Sequence, residues 1–375
     1  MTADPLQILH VVRTRSFAGV EQFVRRLAIA QAGAGHRVAV IGGDPARMEP
    51  ALQAANVGFA ASGSGIRDTL LIRRAARLAD VVATHMTAAD AAAAPALLGL
   101  DAALVATRHF TRPRGSRAPR SVYPAIERRI DAEIAISRAV ARSIGIPSTV
   151  VYSGVADADA PEPARRSRTV LMAQRLQPEK RTRIGLAAFA ASGLAEAGWR
   201  LQIAGAGPEL PLLEADATSF GIADAVDLLG FRDDIAQLYA RAGLFIAPCP
   251  VEGLGLSLLE AMATGLPTLA ADAGGHSEIL GGLDPRALFR ADDVDDAARS
   301  LRALADDDPG RVALGAAGRE RQRAQFSIAS QLEATEAAYR RAIEARRLRR
   351  TGANVADEAD GAVDASTPPS ARGES

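Results

Sequence analysis

The residues with the clearest chemical potential lie between Ala247 and Glu260, where two carboxylates flank a glycine-rich turn. Glu252 stands just before Gly253-Leu254-Gly255-Leu256, and Glu260 lies about two turns inside the helix that this turn is predicted to open. Glycines at the start of a helix let an anion approach the free N–H groups of its first turn. An anion site between two carboxylates indicates a ligand with a charged middle and two hydroxylated ends, which is the form of a nucleotide sugar.

A second candidate is the loop after the apolar run at 170–173, which carries Arg175 and Lys180. Lys180 is the only lysine among the 44 basic residues of the chain. Cations at this place suit a diphosphate leaving group, because its negative charge grows as the bond to the sugar breaks. The alternative is an ordinary surface loop.

The elements that must position these residues alternate between strands and helices. A strand is predicted at 6–12, a helix with apolar residues at helical spacing starts at Val20, and a strand follows at 36–41. This alternation predicts a parallel sheet covered by helices, with ligands at the carboxyl ends of the strands. Gly19, His85 and His109 fall in the loops after predicted strands and are therefore candidate site residues.

A second strand–helix series begins at Thr169 and includes the strand that leads into Ala247. We therefore predict an α/β protein with two doubly wound, Rossmann-like domains facing each other across a cleft. The expected units are a first domain at 1–155, a linker at 156–168, a second domain at 169–326, a long helix at 327–350 and a disordered tail at 351–375.

Composition excludes several classes of protein. The formal net charge is zero, so no overall charge favours nucleic acid, and the single cysteine, Cys249, rules out a disulfide framework. Residues 1–13 lack the features of a signal peptide, and the longest apolar run, 91–106, is interrupted by Pro95, Gly99 and Asp101. The expected location is the cytoplasm.

Basic charge is concentrated at 108–129, where seven arginines face only Glu127. A solvated loop is the simplest interpretation. The alternative is a docking surface for an anionic membrane or acceptor, which would place the protein at the cytoplasmic face of a membrane.

Taken in order, these motifs resemble the retaining nucleotide-sugar glycosyltransferases of family 4, which have the GT-B fold. The resemblance covers residues 6–345, and the spacing of Glu252 and Glu260 matches the family's E-x7-E signature. The other matching segments are Ala18-Gly19-Val20-Glu21, Ala106-Thr107-Arg108-His109, Gln174 to Lys180, Ala204 to Pro208, Gly230 to Asp234 and Gly274 to Glu278.

The resemblance implies a role for each position. Arg175 and Lys180 would bind the donor diphosphate together with Gly19 and the N–H groups of the turn Gly253, Leu254, Gly255 and Leu256. Glu260 would hold the ribose, Glu252 and His109 the donor sugar, and Phe231 and Arg232 would meet the base. The terminal helix would cross back to the first domain.

The implied reaction moves a sugar from a UDP- or GDP-sugar to an acceptor hydroxyl, with retention of configuration and without a metal or other cofactor. Catalytic roles would fall to Glu252, His109, Arg175 and Lys180. The acceptor would be a sugar or a lipid-linked glycan in the synthesis of cell-envelope polysaccharide, glycolipid or a similar glycoconjugate. The alternative from another class is a catalytically silent subunit that binds nucleotide sugars.

Overall fold

The computed structural model describes residues 4–63, 65–112, 123–162 and 166–361, with side chains as far as Thr351. Two parallel sheets dominate this part of the chain, one of seven strands and one of six. Their strands read as short apolar runs because both faces of each sheet are covered. In β1 (Gln7–Val12) and β8 (Thr169–Ala173), which start the two sheets, almost every residue is buried.

The first sheet has the strand order β3-β2-β1-β4-β5-β6-β7. The remaining strands are β2 (Arg37–Ile41), β3 (Gly58–Ala60), β4 (Val81–His85), β5 (Ala103–Arg108), β6 (Ala132–Ala135) and β7 (Thr149–Val150). The helices are α1 (Gly19–Gly33), α2 (Pro45–Ala54), α3 (Ile66–Ala76), α4 (Thr87–Ala96), α5 (Tyr123–Arg129) and α6 (Arg138–Ile144). The order reverses between β1 and β4, so the loops that follow these strands diverge and leave a crevice.

The second sheet has the order β10-β9-β8-β11-β12-β13 and reverses between β8 and β11. Its other strands are β9 (Arg200–Ala204), β10 (Val226–Gly230), β11 (Leu244–Ala247), β12 (Thr268–Ala271) and β13 (Leu288–Phe289). The helices are α7 (Thr182–Ala191), α8 (Leu210–Ser219), α9 (Ile235–Arg241), α10 (Leu256–Ala263), α11 (Gly274–Leu280), α12 (Val294–Ala305) and α13 (Asp308–Gln325). Two doubly wound, Rossmann-like domains are therefore confirmed.

The last helix, α14 (Ile328–Gly361), packs against α1 and β5 of the first domain. Tyr339 is completely buried there, and His36 donates from Nε2 to Glu336 at 2.7 Å. The predicted crossing helix is thus present, and it ends at Gly361 rather than at Arg350. The remainder of the predicted tail, 362–375, lies outside the described residues.

The two passages of the chain between the domains run side by side. Val155 and Ser327 form an isolated parallel bridge, and the Val155 N–H donates to the Phe326 carbonyl at 2.9 Å. Gly154 passes so close to the Ser327 carbonyl that a side chain would not fit there. The two crossings are therefore held against each other by backbone contacts.

Candidate active site

Two helix N-termini meet across the cleft. The helix α1 begins at Gly19, and a Cβ on Gly19 would lie 4.0 Å from Cδ1 of Leu256, the first residue of α10. Gly255 precedes α10 with φ +112°, and a Cβ there would come within 2.9 Å of the His276 ring, so glycine is required. The positive ends of two helices thus face a common space, which is an arrangement suited to an anion.

The Gly19 loop owes its shape to Glu21, which is almost completely buried. One carboxylate oxygen of Glu21 accepts from the Ala18 N–H at 2.8 Å, and the other accepts from Thr14 Oγ1 at 2.5 Å. These bonds fix the turn of the chain that leads into α1. Sequence reasoning gave Glu21 no role. A glutamate three residues after the residue that precedes a helix, here Ala18, is nevertheless a known signal for a helix start.

Beside the α10 terminus, Lys180 and Glu252 form a salt bridge between Nζ and Oε2. Burial would raise the pKa of the Glu252 carboxyl, but the charge and the hydrogen bond of Lys180 outweigh it and hold the pKa below its usual value. Burial lowers the pKa of His276 itself to about 4. At neutral pH, Glu252 is therefore ionised and His276 is a neutral ring.

Cys249 also borders this cluster, with Sγ 3.2 Å from the Glu179 carbonyl. Burial raises the pKa of its thiol to about 11, so it stays protonated and packs rather than reacts.

Arg175 is not drawn into the cluster. Its side chain is 62% exposed, and it pairs with Glu179 at 3.3 Å, four residues further along the chain. An exposed pair at this spacing restrains the guanidinium only weakly. The Arg175 guanidinium therefore lies at the surface and is free to change its orientation.

Glu260 makes a contact that the sequence did not indicate. Its Oε1 accepts a hydrogen bond from Nη2 of Arg26 at 2.5 Å, across the cleft from α1, and it also interacts with Tyr239. Both side chains of the Arg26–Glu260 pair are 26% exposed. Arg26 lies seven residues after Gly19 and so on the same face of α1, which is the one signal that could have pointed to it.

Phe231 and Arg232 lie further out. The Phe231 ring is 62% exposed and carries the Arg47 guanidinium 5.7 Å from its centre, another contact between the domains. Arg232 is held within its own loop by Asp234, with bonds of 2.8 and 2.6 Å. Phe231 thus faces the cleft, whereas Arg232 is committed to a neighbouring carboxylate.

His109 lies at the end of β5 and touches the second domain through its backbone. A Cβ on Gly253 would lie 2.6 Å from the His109 carbonyl oxygen, and Ser137 Oγ donates to the Gly253 carbonyl at 2.6 Å. Burial and the Arg108 charge lower the pKa of His109 to about 3, so its ring is neutral. Its Nε2 lies 3.1 Å from Nδ1 of His85. Gly253 therefore lies against the first domain, whereas Leu254 is buried beside Gly275 of α11.

The basic segment at 108–129 is less available than its sequence indicates. Arg108 is buried and bonded to Asp90 at 2.5 Å and to Glu133 at 2.6 and 3.0 Å. Arg129 is buried and paired with Asp131 at 2.7 Å. Within the described part of the segment, Arg112 and Arg128 are exposed, and residues 113–122 lie outside the described residues. Two of the seven arginines thus serve the fold rather than a surface.

Two family models match this chain, one for each of its two domains. Residues 17–158 match the model "Glycosyltransferase Family 4", and residues 157–321 match "Glycosyl transferases group 1". The two matches join at the passage between the sheets and together span both halves of the cleft.

The chain belongs to glycosyltransferase family 4.

Among the curated relatives of this family 4 glycosyltransferase is the lipopolysaccharide core biosynthesis mannosyltransferase LpsB of Rhizobium meliloti (strain 1021). The two are 33% identical over 232 residues, which cover 56% of this chain and 66% of the relative. A GDP-mannose-dependent alpha-(1-6)-phosphatidylinositol monomannoside mannosyltransferase of Mycobacterium tuberculosis is 34% identical over 167 residues, covering 42% of this chain and 43% of the relative. The matches thus span two thirds or less of these relatives.

Solved structures support the same fold. A glycosyltransferase from Rickettsia africae aligns with a TM-score of 0.75 at 16% identity and covers 91% of this chain and 99% of that chain. Anabaena Alr3699/HepE, solved with UDP and glucose, aligns with a TM-score of 0.73 at 19% identity. The alignment covers 88% of this chain and 97% of that chain. At these identities the likeness shows a common GT-B fold. Among the described residues, no helix is long and apolar enough to cross a membrane.

Proposed function

We propose that this protein transfers a sugar from a nucleotide-sugar donor to an acceptor hydroxyl in the synthesis of a cell-envelope polysaccharide, glycolipid or similar glycoconjugate. The observation that carries the proposal is the Lys180–Glu252 pair at the N-terminus of α10, with the N-terminus of α1 facing it. Residues 169–326 would bind the donor, and residues 1–155 would supply the acceptor side.

The donor diphosphate would lie between the two helix N-termini, where the N–H groups near Gly19 and Leu256 point into a common space. Lys180 would neutralise charge on the leaving phosphate, and the weakly held Arg175 would turn from Glu179 towards it. Preorganised N–H groups and cations of this kind stabilise the charge that develops in the transition state.

Glu252 would accept hydrogen bonds from the hydroxyls of the donor sugar, since its lowered pKa keeps it ionised. Glu260 would take the ribose and Phe231 would flank the base. We propose that the configuration at the anomeric carbon is retained, through displacement from the face that the leaving phosphate occupies. That phosphate would then help to remove the proton from the acceptor hydroxyl.

GDP-mannose is the first donor to test, because two of the relatives are mannosyltransferases and one is GDP-mannose-dependent by name. UDP-glucose is the second, because Anabaena Alr3699/HepE was solved with UDP-glucose. A donor that binds the folded state alone raises the melting temperature. A thermal-shift panel of GDP-, UDP- and ADP-sugars therefore identifies the base, and NMR of the product identifies its anomeric configuration.

In the transfer assay, Lys180→Met and Glu252→Gln should each lower kcat at least ~100-fold, the order expected for losing one transition-state contact. Glu196→Gln, which removes an exposed carboxylate of the same domain outside the cleft, is the matched control. Near-normal turnover in either site variant would refute the site assignment. Donor binding without transfer to any acceptor, cell extract included, would instead favour a catalytically silent binding subunit.

We also propose that the segment at 108–129 contacts anionic lipid or a polyanionic acceptor. Fewer of its arginines are available for this contact than the sequence alone indicates. The exposed Arg112 and Arg128 support this contact, while Arg108 and Arg129 are occupied inside the fold. Co-sedimentation with vesicles of neutral and of anionic lipid measures it. Equal binding to both kinds of vesicle would count against the contact.

A further inference from the structure

Two neighbouring helices of the first domain, α3 and α4, expose aliphatic side chains on their outer side. Arg73 of α3 joins the two helices, because its Nη1 donates to the carbonyls of Ala96 and Leu98, both at 2.8 Å. The inner residues of both helices pack in one apolar cluster with residues of β1, β4 and β5. The two helices therefore form one layer on the sheet, with a common outer surface.

The outer surface of α3 is both apolar and basic. The exposed side chains of this helix and of the turn after it belong to Ile66, Arg67, Leu70, Arg74, Arg77 and Leu78. Ile66, Leu70 and Arg74 follow one another at intervals of four residues, so they lie on one side of the helix. The three aliphatic side chains are between 60% and 78% exposed. Large apolar groups and guanidinium groups thus alternate along this surface.

The outer surface of α4 carries no charged side chain. The exposed side chains of this helix and of the turn after it belong to Ala88, Ala91, Pro95 and Leu98. Their spacing of three, four and three residues places them on one side of the helix. A surface helix of a globular protein normally has polar and charged residues on its outer side, so this apolar stripe is unusual. We call these exposed residues of α3, α4 and their terminal turns the α3–α4 face.

The α3–α4 face is positively charged because its carboxylates point inwards. Asp68 and Asp90 are the acidic residues of α3 and α4, and both are buried in ion pairs with arginines from outside these helices. The exposed Asp101, three residues after Leu98, pairs with Arg350 of α14. The three exposed arginines of α3 and its terminal turn, by contrast, form no ion pair with another described residue. Their charge is therefore available to an anionic partner.

We propose that the α3–α4 face docks onto an anionic lipid bilayer. Its aliphatic side chains would enter the boundary between headgroups and acyl chains, and its arginines would bind the lipid phosphates. A bilayer surface offers both kinds of contact together, and guanidinium groups bind phosphate through paired hydrogen bonds. A second copy of this chain is a poorer partner, because two such faces would bring unpaired positive charges together.

This inference does not rest on the proposed function, and it concerns a surface outside the segment at 108–129. Successive residues of β1 point to opposite sides of the first sheet, and Ile8 belongs to the apolar cluster of α1 whereas Leu9 belongs to that of α3 and α4. The α3–α4 face therefore lies on the other side of the sheet from α1, whose N-terminus faces α10. A bilayer docked there would not cover the space between these two helix N-termini.

Vesicle co-sedimentation of the full-length protein tests the docking, with phosphatidylcholine alone or mixed in equal parts with phosphatidylglycerol. The unmodified protein should bind the mixed vesicles more tightly than the neutral ones. Leu70→Ser should weaken binding to the mixed vesicles at least ~tenfold, because it withdraws a large aliphatic group from the lipid. Arg74→Glu should weaken it about 25-fold, because each charge near an anionic surface changes binding about fivefold and this substitution alters the charge by two.

The matched controls are Leu212→Ser on α8 and Arg341→Glu on α14, since both positions are exposed and lie outside the face. Both variants should bind vesicles as the unmodified protein does. Full binding by Leu70→Ser and Arg74→Glu would overturn the inference, and so would an unmodified protein that does not bind the mixed vesicles. Loss of binding in Arg128→Glu alone would assign the contact to the segment at 108–129 instead, and would also overturn it.

A fluorescent label shows which surface enters the lipid. The single cysteine of the chain, Cys249, is buried, so a thiol introduced at an exposed position is labelled selectively. An environment-sensitive fluorophore on Leu98→Cys should shift its emission to shorter wavelength when mixed vesicles are added. The same fluorophore on Leu212→Cys should not shift. Equal behaviour at the two positions would contradict docking through the α3–α4 face.

Two further measurements separate this inference from its neighbours. Light scattering without lipid should give the same molar mass for the unmodified protein and for Leu70→Ser. A dimer that this substitution dissociates would show that the face joins two copies of the chain, and would overturn the inference. Vesicle binding through the face by a protein that turns over no nucleotide sugar would support the docking and refute the transferase.

Discussion

The Arg26–Glu260 salt bridge makes a quantitative prediction, because it occupies a carboxylate that the proposed donor needs. Two ribose hydroxyls would use both oxygens of Glu260, and Oε1 is already bonded to Arg26 at 2.5 Å. Nucleotide binding must therefore displace Arg26 or share the carboxylate with it. A pair whose side chains are each about a quarter exposed contributes roughly 1 kcal/mol.

Replacing Arg26 with Met removes the competitor and keeps much of the apolar stem. Since about 1.4 kcal/mol corresponds to a tenfold change, 1 kcal/mol predicts roughly fivefold tighter binding of the nucleoside diphosphate. The gain should shrink at high salt, because screening already weakens the pair in the unmodified protein. Isothermal titration calorimetry at two salt concentrations measures both effects.

Arg25→Met is the matched control, since it removes the same charge one residue earlier on α1. The Arg25 guanidinium lies over the Phe17 ring, 4.8 Å from its centre, within the first domain. Its variant should bind the nucleotide as the unmodified protein does. Weaker binding by Arg26→Met would mean that Arg26 contacts the ligand, and unchanged binding would mean that Glu260 does not; either result refutes the reasoning.

Two further predictions concern stability. Four buried neutral rings, His10, His85, His109 and His276, have lowered pKa values, so below pH 6.5 the unfolded chain binds more protons than the folded one. The four neutral rings contribute fully to the free energy of unfolding above pH 6.5. At about 1.4 kcal/mol per proton and pH unit, the free energy of unfolding should be lower by about 5 kcal/mol at pH 5.5. Urea titrations that give the same free energy of unfolding at pH 7 and at pH 5.5 would contradict this. Arg108→Met removes the one cation that the buried carboxylates of Asp90 and Glu133 share in these ion pairs, and it should lower the free energy of unfolding by about 3–5 kcal/mol. Arg128→Met, at an exposed position of the same segment, should lower it by less than ~0.5 kcal/mol; similar losses in the two variants would contradict the structural role of Arg108.

Sequence reasoning succeeded where a signal is local. The alternation of apolar runs and helical periods yields both parallel sheets, because strands covered on both faces cannot contain many polar residues. Gly255 and the start of α10 are similarly local, since a left-handed glycine lies directly before the helix.

The same reasoning could not find partners that approach from the other domain. Arg26 lies 234 residues from Glu260 in sequence, and nothing near either residue indicates the pair. For the arginines at 108–129, sequence reasoning instead indicated more exposed charge than the structure has. A local count of charges cannot reveal that Asp90, on α4, and Glu133, on β6, neutralise Arg108 inside the fold.

The contacts across the cleft indicate which part of the candidate site depends on domain closure. The backbone of Gly253 lies against the His109 carbonyl, and Glu278 accepts from the N–H groups of Arg138 and Ala139 at 2.9 and 2.6 Å. These are bonds to backbone groups, so they fix the distance between the domains without engaging the polar side-chain atoms proposed to bind the donor. The polar atoms of Lys180 and Glu252 take no part in these contacts, whereas Glu260 is engaged by Arg26 across the cleft. Because the Nε2 of His109 lies 3.1 Å from Nδ1 of His85, the position of the His109 ring is set within the first domain.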